Sequence, residues 1–383
     1  MRERLVGVHD QGRDGPTLLC QGGIHGNEPA GILAQERVLR RLAEGDLPFH
    51  GRFVAVAGNL AALHEGRRFL DRDLNRAWDA PRLAALRGGA DAGPLSEDRE
   101  QAELLALFAA VEREGRGPLL FVDLHTSSAE GSPFTCLGDT IPNRRMALAL
   151  PVPTILGLEE CIDGAVLENF AGRGIAGIAV EGGQHDDPAT VERLEAALWI
   201  LLVAAGCLDA GAVDLARYRG LLAEAVSHLP PVLEIRERHA IKPTDGFVMQ
   251  PGFRSFQRVT RGTLLACDRN GEVRASEDGY LLLPLYQGQG EDGFFLARPV
   301  RPFWLHLSRV LRPLGRPAVL ALLPGVRRHA EDPWTLLWSG RWASVWTIRC
   351  MHLLGYRRLR KREGRLQFSR RWARPDAWRL RPR

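Results

Sequence analysis

Short apolar runs alternate with helical stretches between residues 5 and 206. Four of these runs have the length and composition of strands, at residues 17–20, 52–57, 119–124 and 175–180. Helical spacing or amphipathic character marks residues 29–44, 98–114 and 187–205. Strands that alternate with helices are typical of α/β proteins with a largely parallel sheet. We therefore expect an α/β fold, with a mostly parallel mixed sheet flanked by helices, over residues 1–210.

Two regions of different character follow this domain. Between residues 230 and 298, short apolar runs are separated by Pro-Gly, Arg-Gly, Asn-Gly and Asp-Gly pairs, which favours a small all-β domain. Residues 299–383 hold 20 of the 51 Lys and Arg residues but only 4 of the 46 Asp and Glu residues. A charge shift of this size marks a boundary. We expect 230–298 to form a small β domain and 299–383 to form a basic, Trp- and Arg-rich C-terminal extension.

The composition of the 383 residues excludes several classes of protein. A hydrophobic content of 45% and a charged content of 25% exclude a disordered chain, a collagen-like repeat and a coiled coil. No stretch approaches the roughly 18 apolar residues of a spanning helix, and no apolar segment follows the first charged residues. A cytoplasmic enzyme is therefore expected. The six cysteines include no Cys-x-x-Cys pair, so we expect reduced, mostly buried thiols, and any metal site must use imidazole and carboxylate.

The first candidate site is the segment Gly-Gly-Ile-His-Gly-Asn-Glu-Pro at residues 22–29. It lies between a predicted strand and a helix that Pro29 can open, at the sheet edge where α/β proteins bind ligands. His25 and Glu28 are three residues apart and could both face one ion. Two histidines and one glutamate, with water in the fourth position, form a known catalytic zinc set. Alone, His-x-x-Glu is a weak signal.

A second histidine ends the predicted strand at residues 119–124. His125 follows Glu28 by 97 residues, in the segment Phe-Val-Asp-Leu-His-Thr-Ser. Because strand side chains alternate between faces, Asp123 lies on the same face as His125, where it could orient the ring or be merely structural. The alternative is a histidine that caps the strand and bonds to a backbone carbonyl.

Two further segments place charge near predicted strand ends. Residues 67–76 could be a solvated charge run, but Asn75 beside Arg76 would make a good carboxylate clamp. Arg68 could stabilise a developing oxyanion. Glu181 ends an apolar run and precedes two glycines, and beside a metal it could act as a general base. A helix-capping or salt-bridged carboxylate is the alternative for Glu181.

Taken together, four segments resemble the succinylglutamate desuccinylase/aspartoacylase family, a branch of the zinc-carboxypeptidase-like hydrolases. They are Gly-Gly-Ile-His-Gly-Asn-Glu around His25, Asp-Leu-Asn-Arg at residues 73–76, Asp-Leu-His at residues 123–125 and Val-Glu-Gly around Glu181. All four occur in the family's order. The resemblance covers roughly residues 1–298, including Leu-Pro-Leu-Tyr at residues 283–286, and leaves out the basic extension.

The resemblance implies a zinc-dependent hydrolase that cleaves the amide bond of an N-acyl amino acid or a related small substrate. It implies three ligands for one zinc ion per chain: His25, Glu28 and His125. It also implies that Glu181 is the general base, that Asn75 and Arg76 hold a substrate carboxylate, and that Arg68 polarises the scissile carbonyl.

Two departures from the family pattern leave the acyl group and the amino acid open. Some members use a further arginine upstream of the catalytic glutamate, and Arg173 lies eight residues before Glu181. Members with N-acetylaspartate activity use a tyrosine of the β domain. The corresponding stretch here is Phe-Phe at residues 294–295, although Tyr280 and Tyr286 are close in sequence.

The extension combines arginine with tryptophan. Tryptophans at positions 334, 338, 342 and 346 recur every four residues, which predicts one stripe on a helix. A basic helix with such a stripe is typical of contact with a membrane surface. The run Arg-Arg-Leu-Arg-Lys-Arg at residues 357–362 could instead attract the phosphates of lipid or nucleic acid. The alternative is a stripe packed on the body, with solvated arginines.

Two other functions are compatible with these residues. A zinc carboxypeptidase would act on peptides and would need a free C-terminus in its substrate. A non-catalytic binding or scaffold protein would keep the fold and act through the basic extension. We expect a deacylase acting on a small N-acyl substrate. For residues 299–383, contact with a membrane surface, contact with an acidic partner and packing on the body all stay open.

Overall fold

The computed structural model describes residues 3–330, 332–339, 345–362 and 365–371. Fourteen strands form in its part before residue 300. They are β1 (Leu5–Asp10), β2 (Thr17–Gly22), β3 (Arg52–Ala57), β4 (Leu119–Ser127), β5 (Phe134–Cys136), β6 (Thr154–Leu156), β7 (Ala176–Gln184), β8 (Val232–Ala240), β9 (Val248–Met249), β10 (Gln257–Val259), β11 (Leu264–Asp268), β12 (Gly271–Arg274), β13 (Gly279–Leu282) and β14 (Asp292–Pro299).

Eleven of these strands form one sheet in the order β1-β3-β2-β4-β7-β5-β6-β8-β14-β13-β10. The segment β3-β2-β4-β7 is parallel, and β5-β6-β8 is a second parallel group. Antiparallel pairs join these two groups and add the strands at both ends of the sheet. Strands β9, β11 and β12 form a small separate sheet. The predicted α/β fold with a mostly parallel mixed sheet is confirmed.

Helices cover both faces of the sheet, because the side chains on both sides of central strands such as β2 and β3 are buried. They are α1 (Ala30–Glu44), α2 (Leu60–Glu65), α3 (Ala80–Arg87), α4 (Ser96–Glu114), α5 (Ile141–Ala149), α6 (Leu158–Cys161), α7 (Val166–Ala171), α8 (Pro188–Ala205) and α9 (Leu215–Glu224). Helices α1, α5, α8 and α9 pack with Leu18 and Cys20 on one face. Helices α3, α4 and α7 pack with Leu19 on the other. The helices predicted at 29–44, 98–114 and 187–205 correspond to α1, α4 and α8.

The small β region continues the large sheet. Strand β8 is parallel to β6 and antiparallel to β14, so the hydrogen bonds of the sheet connect residues before 210 with residues after 230. A separate core forms between the two β layers around Leu265, Leu281, Phe294 and Leu296. The boundaries at residues 210, 230 and 299 stay predictions of domain organisation.

The described part of the extension contains three α-helices and a four-stranded antiparallel sheet. The helices are α10 (Pro302–Leu311), α11 (Pro317–Leu320) and α12 (Val345–Leu353), and the strands are β15 (Val326–Arg328), β16 (Thr335–Ser339), β17 (Arg358–Arg362) and β18 (Arg365–Ser369). Their order in the sheet is β15-β16-β18-β17. Leu336, Met351, Tyr356 and Phe368 form a local core.

The predicted helical tryptophan stripe is wrong. Trp338 lies on strand β16 and is paired with Leu366 of β18, while Trp334 precedes that strand. Residue 342 is outside the described part of the chain, as are Trp372 and Trp378. The spacing of four predicted a helix, but a partner strand almost 30 residues later provides the backbone hydrogen bonds here, and such distant pairing overrides a local pattern.

The extension contacts the body, residues 1–298, through buried side chains. Arg312 follows α10 and donates to the carbonyl oxygen of Asp139 over 2.7 Å. Ser308 is buried and lies within hydrogen-bonding distance of Arg144 of α5. Arg371 donates to the carbonyl oxygen of Glu159 over 3.1 Å. The extension therefore packs directly behind residues 139 and 159 of the body. None of the helices in the described ranges is long and apolar enough to cross a bilayer.

Candidate metal centre and active site

His25, Glu28 and His125 meet at the carboxyl edge of two neighbouring parallel strands. His25 and Glu28 lie in the loop between β2 and α1, and His125 lies near the end of β4. Strands β2 and β4 are hydrogen-bonded in a register that sets Gly22 opposite Leu124. Because both strands end at the same edge, the loop after β2 and the last residues of β4 face each other.

The two histidine rings turn the same nitrogen toward Glu28. Nδ1 of His25 is 2.8 Å from one carboxylate oxygen of Glu28, and Nδ1 of His125 is 3.1 Å from the other. One ligand atom from each of the three residues can be chosen so that all lie within 4.8 Å of one another. All three side chains are buried. Two imidazoles and a carboxylate around one point are a donor set that fits zinc.

The far nitrogen of each ring is held by an aspartate. Nε2 of His25 is 3.2 Å from Asp73, and Nε2 of His125 is 2.8 Å from Asp123. Asp123 also accepts a hydrogen bond from the buried Gln21. Carboxylates that bind the outer nitrogen of a histidine fix its tautomer and leave the other nitrogen for a metal. The geometry thus favours a histidine oriented by Asp123, rather than a histidine that caps the strand by bonding to a backbone carbonyl.

Charges keep the acidic members of this group ionised despite burial. Burial raises the pKa of Glu28, but the two histidines outweigh it and hold that pKa well below its usual range. Burial likewise opposes ionisation of Asp73, and Arg68 and His25 hold its pKa well below normal. The Thr126 amide donates to Glu28 over 2.9 Å. Glu28 is therefore ionised and fixed in place by the strand that carries His125.

Glycine allows the His25 loop to pack closely against α2. A Cβ atom on Gly26 would lie 2.1 Å from the carbonyl carbon of Ala62, far inside van der Waals contact. The Gly26 amide also donates to the carbonyl oxygen of Arg68 over 3.1 Å. The loop that carries His25 and Glu28 therefore requires glycine at position 26 and is tied there to the segment that carries Arg68.

Glu181 lies beside this group on strand β7. The register of β4 and β7 sets Glu181 directly opposite His125. One of its carboxylate oxygens has no hydrogen-bond partner among the described residues. Burial is the main cause that raises the pKa of Glu181 to about 7, and His125 opposes this rise. A carboxylate with a free oxygen and a pKa near neutrality is suited to take up a proton.

Arg68 lies close to the three-residue group. Its guanidinium is 3.6 Å from Glu28 and forms a 3.0 Å ion pair with Asp73. Asp73 thereby joins Arg68 to His25. A fixed positive charge thus lies next to the candidate metal ligands.

Asn75 and Arg76 lie in a short 3-10 turn, Leu74–Arg76, which Asp73 caps by accepting from the Asn75 amide. The side-chain oxygen of Asn75 accepts a hydrogen bond from the backbone amide of Val166. The side-chain nitrogen of Asn75 therefore points away from Val166. Arg76 donates to Asp292 over 2.8 Å. Both residues contribute to the wall of the same cleft as His25 and Glu181.

The cleft that these residues line has a volume of about 800 Å³ measured out to solvent. Its wall includes all seven of the residues predicted as site residues: His25, Glu28, Arg68, Asn75, Arg76, His125 and Glu181. The β region closes one side of it with Leu283, Pro284, Leu285 and Phe295. A cleft of this size suits a small molecule.

Arg173, Tyr280 and Tyr286, whose roles the family resemblance left open, are not among the residues that line the cleft. Arg173 donates to Glu112 and to the backbone of Asn169, away from the residues that line the cleft. The hydroxyl of Tyr286 donates to the Gln250 carbonyl, and Tyr280 packs with Arg258. Phe295 occupies the cleft wall instead of a tyrosine.

Sequence reasoning did not single out Glu159, which lines the cleft from α6. It is 5% exposed, and its Oε2 atom has no hydrogen-bond partner in the described part of the chain. Burial is the main cause that raises its pKa to about 7. Its four-residue helix leaves no periodic pattern, so no local signal distinguished Glu159 from the neighbouring acids.

Comparison with known proteins agrees with this geometry. Residues 14–159 match the model of the succinylglutamate desuccinylase/aspartoacylase catalytic domain. This segment of 146 residues, more than a third of the chain, is similar to that catalytic domain. The match contains His25, Glu28, Arg68, Asn75, Arg76 and His125. Glu181 lies beyond the matched residues and reaches the site through the pairing of β7 with β4.

Curated members of the succinylglutamate desuccinylase/aspartoacylase family match over a limited region. The succinylglutamate desuccinylase of Pseudomonas paraeruginosa is 36% identical over 122 residues, which is 32% of this chain and 33% of that protein. The succinylglutamate desuccinylase of Burkholderia pseudomallei is 35% identical over 111 residues, covering 29% and 31%. The chain thus spans about a third of the length of these curated relatives.

Solved structures show the same fold over a longer region. A succinylglutamate desuccinylase/aspartoacylase from Rhodobacter sphaeroides aligns with a TM-score of 0.56 and 19% identity, over 76% of this chain and 87% of that chain. The ectoine utilization protein EutE (DoeB) from Ruegeria pomeroyi aligns with a TM-score of 0.52 and 21% identity over the same shares. At these identities the likeness concerns the fold alone.

Proposed function

We propose that this protein is a zinc-dependent hydrolase that removes the acyl group from an N-acyl amino acid or a related small amide. One observation carries the proposal: two histidines direct Nδ1 at the same glutamate while aspartates hold their Nε2 atoms, and Glu181 presents an unpartnered oxygen beside them. The family match supports the reaction class.

His25, Glu28 and His125 would hold the metal, leaving a position open toward the cleft. A zinc ion in such a site supplies a Lewis acid and lowers the pKa of water to about 7. Asp73 and Asp123 keep both rings in the orientation that metal binding requires. The site is therefore largely preorganised by the protein itself.

Glu181 moves the proton in this proposal. Its unpartnered oxygen accepts a proton from the attacking water, and it returns that proton to the nitrogen of the leaving amine. Arg68 offers fixed positive charge where the carbonyl oxygen becomes negative, and a donor of this kind typically contributes about 3–4 kcal/mol to lowering the barrier. The ion pair with Asp73 holds the Arg68 guanidinium near the site.

Asn75 and Arg76 position the amino-acid part of the substrate through its carboxylate. Asp292 holds Arg76 by an ion pair, and Val166 holds the Asn75 carbonyl oxygen. Both side chains are thus fixed on the cleft wall before substrate binds. The guanidinium of Arg76 and the amide nitrogen of Asn75 are donors suited to a carboxylate.

Metal analysis combined with a hydrolysis screen tests this function. We expect about one zinc per chain and hydrolysis of at least one member of a panel of N-acetyl and N-succinyl amino acids. Loss of metal in His125→Ala, together with retention of the fold by circular dichroism, would place the metal at the proposed site. A zinc-replete preparation without bound zinc would refute the proposal.

The runner-up is a zinc carboxypeptidase that acts on peptides. It is separated by the substrate, because a carboxypeptidase needs a free peptide C-terminus whereas a deacylase needs an N-acyl group. Cleavage of unblocked dipeptides without cleavage of N-acyl amino acids would favour the peptidase. Absence of both activities in a zinc-loaded preparation would favour a binding or scaffold function.

A further inference from the structure

The exposed apolar surface of the protein is concentrated at the start of the extension. Seven of the thirteen exposed large hydrophobic residues of the described chain lie between positions 303 and 323. They are Phe303, Trp304, Val310, Leu314, Val319, Leu322 and Leu323, which we call the apolar patch. Leu322 is 84% exposed and Phe303 is 63% exposed. Exposed apolar residues gathered in one short segment indicate an interaction site, since ordinary exposed apolar residues are scattered singly.

Helix α10 presents the first part of this patch, because its opposite side is anchored to the body. Ser308 is buried and donates to the carbonyl oxygen of Leu353, and Leu305 packs against the main core. Phe303 and Val310 are seven residues apart and therefore lie on one side of the helix. The anchoring contacts fix which side of α10 faces outward, so the exposed apolar side is a consequence of the fold.

Positive charge surrounds the apolar patch. Residues 300–330 contain six arginines and no acidic residue. Arg312 is buried against Asp139, while the other five are exposed: Arg301, Arg309, Arg316, Arg327 and Arg328. A basic surface with exposed aromatic and aliphatic side chains is complementary to a layer of anionic headgroups over an apolar interior.

We propose that the apolar patch and its surrounding arginines dock this protein on a membrane surface that contains anionic phospholipid. The patch inserts its aliphatic and aromatic side chains among the lipid chains, and the arginines contact lipid phosphates. This surface replaces the helical tryptophan stripe as the membrane-contacting element, and it is independent of the hydrolase site.

Other occupants fit these features less well. In a symmetric dimer through the patch, the same surface of each copy would meet, bringing the exposed arginines of both copies together without acidic residues from positions 300–330 to neutralise them. A nucleic acid would satisfy the arginines, but it would leave aliphatic side chains such as Leu314, Val319 and Leu322 without an apolar partner.

Vesicle flotation of the full chain tests the proposal. We expect the protein to float with vesicles of mixed phosphatidylcholine and phosphatidylglycerol at low salt, and to bind vesicles of phosphatidylcholine alone at least about tenfold more weakly. High salt should weaken the binding to the anionic vesicles. Equal recovery with both vesicle types, or no recovery with the anionic vesicles, would overturn the proposal.

Two kinds of variant locate the surface. Leu314→Ser with Leu322→Ser should lower binding to anionic vesicles by about tenfold or more, because apolar side chains no longer insert. Val248→Ser is the matched control, since Val248 is 65% exposed on the small β region. Arg327→Ser with Arg328→Ser should reduce the preference for anionic lipid in a protein whose apolar patch is intact.

Sedimentation velocity of the same proteins tests whether a second copy of the chain, rather than lipid, occupies the apolar patch. A dimer in the absence of lipid that dissociates in the leucine variant would assign the patch to a second copy and would refute lipid docking. A monomer whose vesicle binding is unchanged in both variants would also refute it.

Discussion

Arg312 and Asp139 form an ion pair inside the protein, with Nη2 2.8 Å from Oδ2 and side chains that are 5% and 1% exposed. Arg144 of α5 donates to the same carboxylate over 2.9 Å, and Arg357 contacts it from the extension. Burial opposes ionisation of Asp139, but the three arginines hold its pKa well below normal. One buried carboxylate therefore joins the extension to the body.

Replacement of that carboxylate should destabilise the protein strongly. Asp139→Asn leaves buried arginines without their counter-charge, and breaking a buried pair in this way costs about 3–5 kcal/mol. Denaturant unfolding measures the free energy of unfolding. Glu272→Gln is the control, because its ion pair with Arg274 is about half exposed on both sides and should contribute at most about 1 kcal/mol. A loss in Asp139→Asn no larger than in the control would contradict the assignment.

The loop that carries His25 should not tolerate a side chain at position 26. In Gly26→Ala the new Cβ atom would meet the backbone of Ala62, so the loop must shift and move His25 and Glu28. We expect reduced stability and at least about tenfold weaker zinc binding, by analogy with the loss of ligand-orienting contacts. Gly220→Ala is the control, because a Cβ atom there meets nothing and alanine favours a helix. Unchanged zinc affinity in Gly26→Ala would argue against a rigid loop.

Glu181→Gln should separate metal binding from catalysis. The substitution keeps the shape of the side chain but removes the proton acceptor, so kcat should fall by about 10²–10⁴-fold. Zinc content should stay at the level of the unmodified protein, because Glu181 is not among the three grouped ligands. Inductively coupled plasma analysis and steady-state kinetics on one preparation provide both values. An active Glu181→Gln enzyme would show that another group takes the proton.

Arg76→Lys should act mainly on substrate binding. Lysine keeps the charge but cannot offer two parallel donors to a carboxylate, so KM should rise by about tenfold while kcat changes less. Arg254→Lys is the control, because Arg254 is 65% exposed and pairs with Glu130 at the surface. A fall in kcat with KM unchanged would instead place Arg76 at the reacting atoms.

Glu159 should make the stability of the protein dependent on pH. Its pKa is about 7 in the folded protein and 4.5 without the fold, so the folded state binds the proton more tightly. Protonated Glu159 contributes its full stabilisation below pH 4.5, and this stabilisation is lost as the pH rises through 7. The contribution of Glu159 to the free energy of unfolding therefore falls by roughly 3 kcal/mol between these limits.

Glu159→Gln removes this titration. We therefore expect the melting temperature of the variant to be higher than that of the parent protein at pH 8. At pH 5 the two melting temperatures should differ little. Scanning fluorimetry across that range measures the difference, with Glu272→Gln as an exposed control. A difference between variant and parent that is constant with pH would show that Glu159 is already ionised in the fold.

Local patterns were sufficient for the fold and for most of the candidate site. The apolar runs at residues 17–20 and 119–124 lie on the adjacent strands β2 and β4, and the parallel sheet brings the ends of these strands together. His25, Glu28 and His125 converge for that reason. The pair Asn75 and Arg76 reaches the same cleft because a capped turn follows β3 at the same edge.

Distant pairing defeated the same reasoning elsewhere. Trp338 is on a strand because residues near 366 pair with it, and no local spacing reveals that partner. Glu159 enters the cleft because the short helix α6 follows β6 at the sheet edge. Arg173 is near Glu181 in sequence but pairs with Glu112 of α4. Arg173 precedes strand β7 and Glu181 lies near the end of that strand, so the strand separates the two residues.

Buried ion pairs connect the residues on the two sides of the charge change near residue 299. Ending the chain there would take two guanidinium partners from Asp139 and would leave Glu234 without Arg357 and His352. The carbonyl of Glu159, in the cleft wall, would lose Arg371 as well. A chain without this terminal portion would therefore need other counter-charges for Asp139 and Glu234, or neutral residues at those two positions.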